Sequence, residues 1–132
     1  MVGCLLLSHG SISHALLEAS RKIVGESSNV FAMDCDHLTT QLLYENIAHL
    51  IESENLKDGL FILVCLRGGT CWNVATRIAR DFQRVVVMSG VNLSLVLSFI
   101  TKHDKFRFDE LTNVLLEDGR RGISKLDSSG NS

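Results

Sequence analysis

A chain of 132 residues is long enough to bury one hydrophobic core and too short for two, and its 45% apolar and 21% charged residues exclude a disordered protein. A formal charge of -2 without any basic block excludes the electrostatic grip that holds nucleic acid or an anionic membrane. The longest apolar runs, Cys4–Leu7 and Leu60–Cys65, are too short to span a bilayer, and Met1-Val2-Gly3 lacks the cationic start of a signal peptide, so a cytoplasmic protein with reduced cysteines is expected.

Val2–Leu7 is a β-rich run broken by Ser8-His9-Gly10-Ser11, and the helix that follows places Leu16, Ala19, Ile23 and Val24 on one face before Gly25. Val30–Cys35 predicts a second strand. Thr39 or Thr40 caps a helix with Leu43, Ile47, Leu50 and Ile51 at helical spacing. Asp58-Gly59 turns into Leu60–Cys65, apolar throughout, as a central parallel strand buried on both faces must be. Arg67-Gly68-Gly69-Thr70 leads into a helix from about Trp72 to Phe82. Arg84–Met88 is the fourth strand, and Ser89-Gly90-Val91-Asn92 precedes an apolar helix over about 93–100. Phe108–Glu117 is helical by the spacing of Leu111, Val114 and Leu115, and residues 127–132 form a polar tail or the start of a linker. Strands alternating with helices define an α/β fold, one domain over residues 1–126.

In an open parallel sheet the loops at the carboxyl ends of the strands make the ligand crevice. Those loops carry Ser8-His9-Gly10, Asp34-Cys35-Asp36-His37, Arg67-Gly68-Gly69-Thr70 and Gly90-Val91-Asn92. His9, between a small hydroxyl residue and a glycine, is the candidate nucleophile, since a useful fraction of imidazole is unprotonated at neutral pH; a loop histidine with a surface hydrogen bond is the plainer alternative. Gly68 and Gly69 before a helix offer backbone N–H groups and Thr70 a hydroxyl for phosphate oxygens, although two such glycines more often serve only a tight turn. The Asp34–His37 run is rejected as a metal site because adjacent strand residues point to opposite faces, and no metal or cofactor is expected. Pairing Cys65 or Cys71 with His9 for thiol chemistry finds no further support in the sequence.

Leu7-Ser8-His9-Gly10, the stretch Leu66-Arg67-Gly68-Gly69-Thr70-Cys71-Trp72-Asn73-Val74-Ala75 and Ser89-Gly90-Val91-Asn92-Leu93 resemble, in order and spacing, the signature segments of the mannose-type enzyme IIA domain of sugar phosphotransferase systems. Phe108-Asp109-Glu110-Leu111 and Glu117–Gly122 are similar to that family's closing segments, so the resemblance covers residues 1 to 126. It implies an open, doubly wound sheet of parallel strands in the order 2-1-3-4, with a C-terminal strand exchanged in a homodimer. It further implies a phosphotransferase in which HPr phosphorylates His9 and His9 passes the group to a IIB component, meeting the membrane only through the permease. Gly68, Gly69 and Thr70 would hold phosphoryl oxygens and Asn73 would fix the helix start. Where the family usually has Asp to orient the imidazole, this chain has Cys65; Arg67, Thr70 and Cys71 replace an apolar residue, Ser and Pro. Asp34 or Asp36 is the expected substitute carboxylate. Related readings are a regulatory IIA-like domain, as in transcriptional regulators, the donor subunit for dihydroxyacetone kinase, and a non-catalytic interaction module.

Overall fold

The computed structural model describes residues 1–132. Four strands, β1 (Gly3–Ser8), β2 (Val30–Asp34), β3 (Leu60–Val64) and β4 (Val85–Ser89), form one sheet in the order β2-β1-β3-β4. Every neighbouring pair is parallel, with Leu5 opposite Phe31 on one side and Ile62 on the other. The connections are the helices α1 (Ile12–Val24), α2 (Thr40–Ser53) and α3 (Gly69–Asp81); α4 (Leu93–Lys102) and α5 (Phe108–Arg121) follow β4. The α/β architecture and the strand order match the expectation. No strand follows α5, and residues 123–132 carry no helix or strand.

The all-apolar central strands are explained by two cores, one on each face. Leu5, Leu7, Leu60, Ile62 and Val64 point to one face and pack with Leu43, Ile47 and Ile51 of α2 and Val74, Ala75 and Ile78 of α3. Cys4, Leu6, Phe61 and Leu63 point to the other and meet Leu95, Val96 and Phe99 of α4 and Leu111 and Leu115 of α5. The period-2 alternation divides one apolar run between two helical layers.

The strand ends fall within one residue of the sequence reading, and three helix boundaries differ by more. α3 starts at Gly69, ahead of Trp72, because the glycine pair completes the turn at once; α4 and α5 run on to Lys102 and Arg121. In α1 the buried residues are Ser13 and Ser20, whereas Ile23 and Val24 are exposed. The physical reason is the approach of α1 to the sheet edge: the Ser13 hydroxyl donates to the Met33 carbonyl of β2 at 2.9 Å, a contact only a small polar side chain can make. Thr39, rather than Thr40, caps α2 by accepting from the Leu42 amide.

The α4–α5 pair is tied by Asp118, which accepts from the Ser98 hydroxyl at 2.6 Å and from Lys102. Hydrogen bonds from Lys102 and then Ser98 hold the Asp118 carboxyl below the usual range.

Candidate functional site

The chain runs α1 back over one side of the sheet and α2 over the other, so the loops after β1 and β3 diverge at a topological switch point. His9 lies one residue beyond β1 and is exposed there. Its loop is tied from below: the buried Ser8 hydroxyl accepts from the Ser13 amide at 2.8 Å, and the Gly10 amide donates to Asp36 at 2.9 Å.

Across from it, α3 begins on two successive residues with positive φ, Gly68 at 91° and Gly69 at 79°, a backbone path that side chains resist. No side chain caps this helix. The first N–H groups of α3, from Gly69 through Cys71, therefore have no side-chain acceptor, and the helix dipole acts at the same end, where an anion could be held. His9 is aimed at it: a Cβ added to Gly69 would stand 3.8 Å from His9 Nε2. Thr70 is half-buried in the same turn. Asn73 sits one turn further on, exposed, and does not cap the helix.

The other ring nitrogen meets sulfur. Cys35 Sγ lies 3.1 Å from His9 Nδ1, and the Cys71 thiol donates to Cys35 Sγ at 2.8 Å. Both cysteines are buried, and burial, followed by the Cys35 contact, pushes the Cys71 thiol well above its ordinary range. Cys35 reaches inward because a turn closes behind it, with the Leu38 amide donating to the Cys35 carbonyl and His37 held at φ 63°.

The expected substitute carboxylates do not touch the imidazole. Asp36 is spent on the Gly10 amide, and Asp34 pairs with His14 Nε2 at 3.6 Å and accepts from the Asp36 amide. Cys65, where the resemblance places an aspartate, lies half-buried one residue beyond β3, its amide donating to the Leu7 carbonyl. Sequence reasoning missed Cys35 as the group beside Nδ1; the only signal was a cysteine at the end of a strand next to β1. Asp34, Cys35 and Asp36 go to three different partners: His14, His9 Nδ1 and the Gly10 amide. Arg67 turns away, its guanidinium 5.5 Å from the Trp72 ring centroid. It lines a groove of about 500 Å³ along the free edge of β4, with Trp72, Val86, Leu116 and Ile123, which is separate from His9.

Fold and site together define an open parallel α/β domain with an exposed imidazole set against an uncapped helix N-terminus at the switch point. The sequence profile of the PTS system fructose IIA component matches residues 3–116, and the chain belongs to this family, the mannose-type IIA domains of the sugar phosphotransferase system. It is 31% identical to the PTS system mannose-specific EIIAB component of Escherichia coli (strain K12), over 95% of this chain and 39% of that protein. The chain thus spans about two fifths of the length of that relative. It is 28% identical to the PTS system fructose-specific EIIA component of Bacillus subtilis (strain 168), over 87% of this chain and 80% of that one. Among solved structures, the phosphotransferase system component EIIA from Streptococcus agalactiae superposes with a TM-score of 0.84 at 20% identity, covering 95% of this chain and 97% of that one. IIA components of this system are phosphotransferases. No helix of the chain is long and apolar enough to cross a membrane.

Proposed function

We propose that His9 Nε2 is the phosphoryl acceptor, that HPr is the donor, and that a IIB component receives the group from phosphorylated His9. The observation that carries this reading is the placement of Nε2 against the uncapped, glycine-started end of α3. Phosphoryl transfer asks a protein for in-line positioning and for stabilisation of charge on the equatorial oxygens, and little else. Nε2 supplies the lone pair, which forms the N–P bond as the donor's N–P bond breaks. The amides of Gly69, Thr70 and Cys71 and the Thr70 hydroxyl face the oxygens.

A neutral imidazole offers one lone pair, so attack through Nε2 requires the proton on Nδ1. Cys35 Sγ is the group placed to accept it, and the Cys71 thiol, donating to the same sulfur, keeps Cys35 in the acceptor role. In this reading sulfur does the positioning work that the family usually gives to a carboxylate, and Cys35 is a positioning residue.

The partner surfaces follow from exposure. The groove beside β4 and the unpaired hydrogen-bonding edge of that strand suit an added strand, and residues 123–126, with Ile123 and Leu126 exposed, supply one from a second copy, giving the exchanged homodimer. The domain is then residues 1–126, with 127–132 a tail, acting in the cytoplasm. A regulatory IIA-like role is favoured by one feature, the sulfur in place of a carboxylate at Nδ1, which is a weaker acceptor.

Incubation with enzyme I, HPr and labelled phosphoenolpyruvate tests the reading. Acid-labile label at one group per chain is expected, and none on His9→Ala. Label that survives in His9→Ala, or a folded wild type left unlabelled beside an active control domain, overturns it.

A further inference from the structure

His9, Cys35 and Cys71 come from three separate elements, the loop after β1, the loop after β2 and the first turn of α3, yet their ligating atoms all lie within 4.8 Å of one another. As hydrogen-bonding groups they gain little, because a thiol is a weak donor and a weak acceptor. As ligands they are a matched set: two sulfurs and an imidazole nitrogen select a thiophilic d10 cation such as zinc over magnesium or calcium.

We propose that His9 Nδ1, Cys35 Sγ and Cys71 Sγ form a three-ligand site for zinc(II), with water in the fourth position at the exposed lip. Binding forms two Zn–S bonds and one Zn–N bond and breaks two S–H bonds, whose protons pass to solvent; no redox change occurs. At Zn–S distances of about 2.3 Å in a tetrahedron the sulfurs stand roughly 3.7 Å apart. From 2.8 Å they must open by less than 1 Å, a movement that the surface turn carrying Cys35 can absorb.

The site has a consequence for phosphoryl transfer that rests on the function proposed above. Metal on Nδ1 uses that nitrogen's lone pair, so the proton of the neutral ring resides on Nε2 and removes the nucleophile. Zinc-bound and phosphoryl-accepting states of His9 are therefore mutually exclusive, and zinc acts as a competitive brake.

Anaerobic titration of the reduced full chain with cobalt(II), as a spectroscopic stand-in for zinc, is the test. One equivalent should produce a thiolate-to-cobalt charge-transfer band, abolished by zinc and absent from a Cys35→Ser/Cys71→Ser double variant shown to fold by circular dichroism. His9→Ala should weaken zinc by more than about 100-fold, beyond the roughly 10–100-fold that loss of an outer-shell partner alone causes. No band in the wild type, a band that survives in the double variant, or unchanged affinity in His9→Ala overturns the site. Exclusive formation of a Cys35–Cys71 disulfide in air, with no metal affinity in the reduced chain, overturns it in favour of a redox pair. Cobalt binding without phosphorylation would keep the site and sink the carrier reading, and phosphorylation without cobalt binding would do the reverse.

Discussion

The two helix starts that flank His9 are built in opposite ways. At α1 the buried Ser8 hydroxyl takes the Ser13 amide and Asp36 takes the Gly10 amide, so the N–H groups on that side are occupied by the protein's own oxygens. At α3 the helix opens on Gly68 and Gly69 with no side-chain cap, and its donors face the crevice. The difference teaches where an anion belongs. In the proposed carrier a phosphoryl group on His9 would face the open end, because Nε2 is the nitrogen on that side.

The largest expected effect on that contrast comes from closing the open end. Gly68→Ala forces a side chain into φ 91°, ψ 169°, a region essentially reserved for glycine, at a cost of about 1–3 kcal/mol. If α3 shifts to relieve this strain, initial phosphorylation rates should fall about 10²-fold, because misplacement of the order of 1 Å costs that much. An unchanged rate in quench-flow labelling would break the assignment of the oxygens to α3. Cys35→Ala should slow phosphorylation by about tenfold while Cys35→Ser, which keeps an acceptor for Nδ1–H, recovers most of the rate; the pH profile should shift in the alanine variant only, since a merely structural loss would leave it in place.

The closed end should respond in stability and little in transfer. Ser8→Ala leaves the buried Ser13 amide without its acceptor, so about 1–2 kcal/mol should be lost in urea unfolding. Equal losses of stability and rate would show that the two ends are not separate.

The smallest effect lies far from both, at α5. The Asp118 carboxyl is held below the unfolded value, so its contribution is present above the ordinary carboxylate range and is lost as pH falls through the depressed native value. Wild-type Tm should therefore drop between about pH 5 and pH 2 more steeply than that of Asp118→Asn, which should itself cost about 1 kcal/mol at neutral pH. Parallel Tm curves would remove Asp118 from the account.

The sequence by itself determined the four strand–helix units, the strand edge that carries His9, and the glycines that open α3, because each is a local matter of apolar period or of a residue no other can replace. Leu60–Val64, five apolar residues behind the Asp58-Gly59 turn, reads as a central strand covered on both faces. The family resemblance supplied the strand order that the sheet then displays. What only the tertiary structure decided was which side chains meet at Nδ1 and which face of α1 is buried. Cys35 and Cys71 are 36 residues apart and reach His9 through strand register and a turn at positive φ, neither of which has a local code. Asp34 and Asp36, the carboxylates the sequence suggested, were drawn off by His14 and the Gly10 amide. The exposed Ile23 and Val24 show the same limit: hydrophobic spacing marks a helix, but the close approach of α1 to the Met33 carbonyl selects serine as the residue that faces inward.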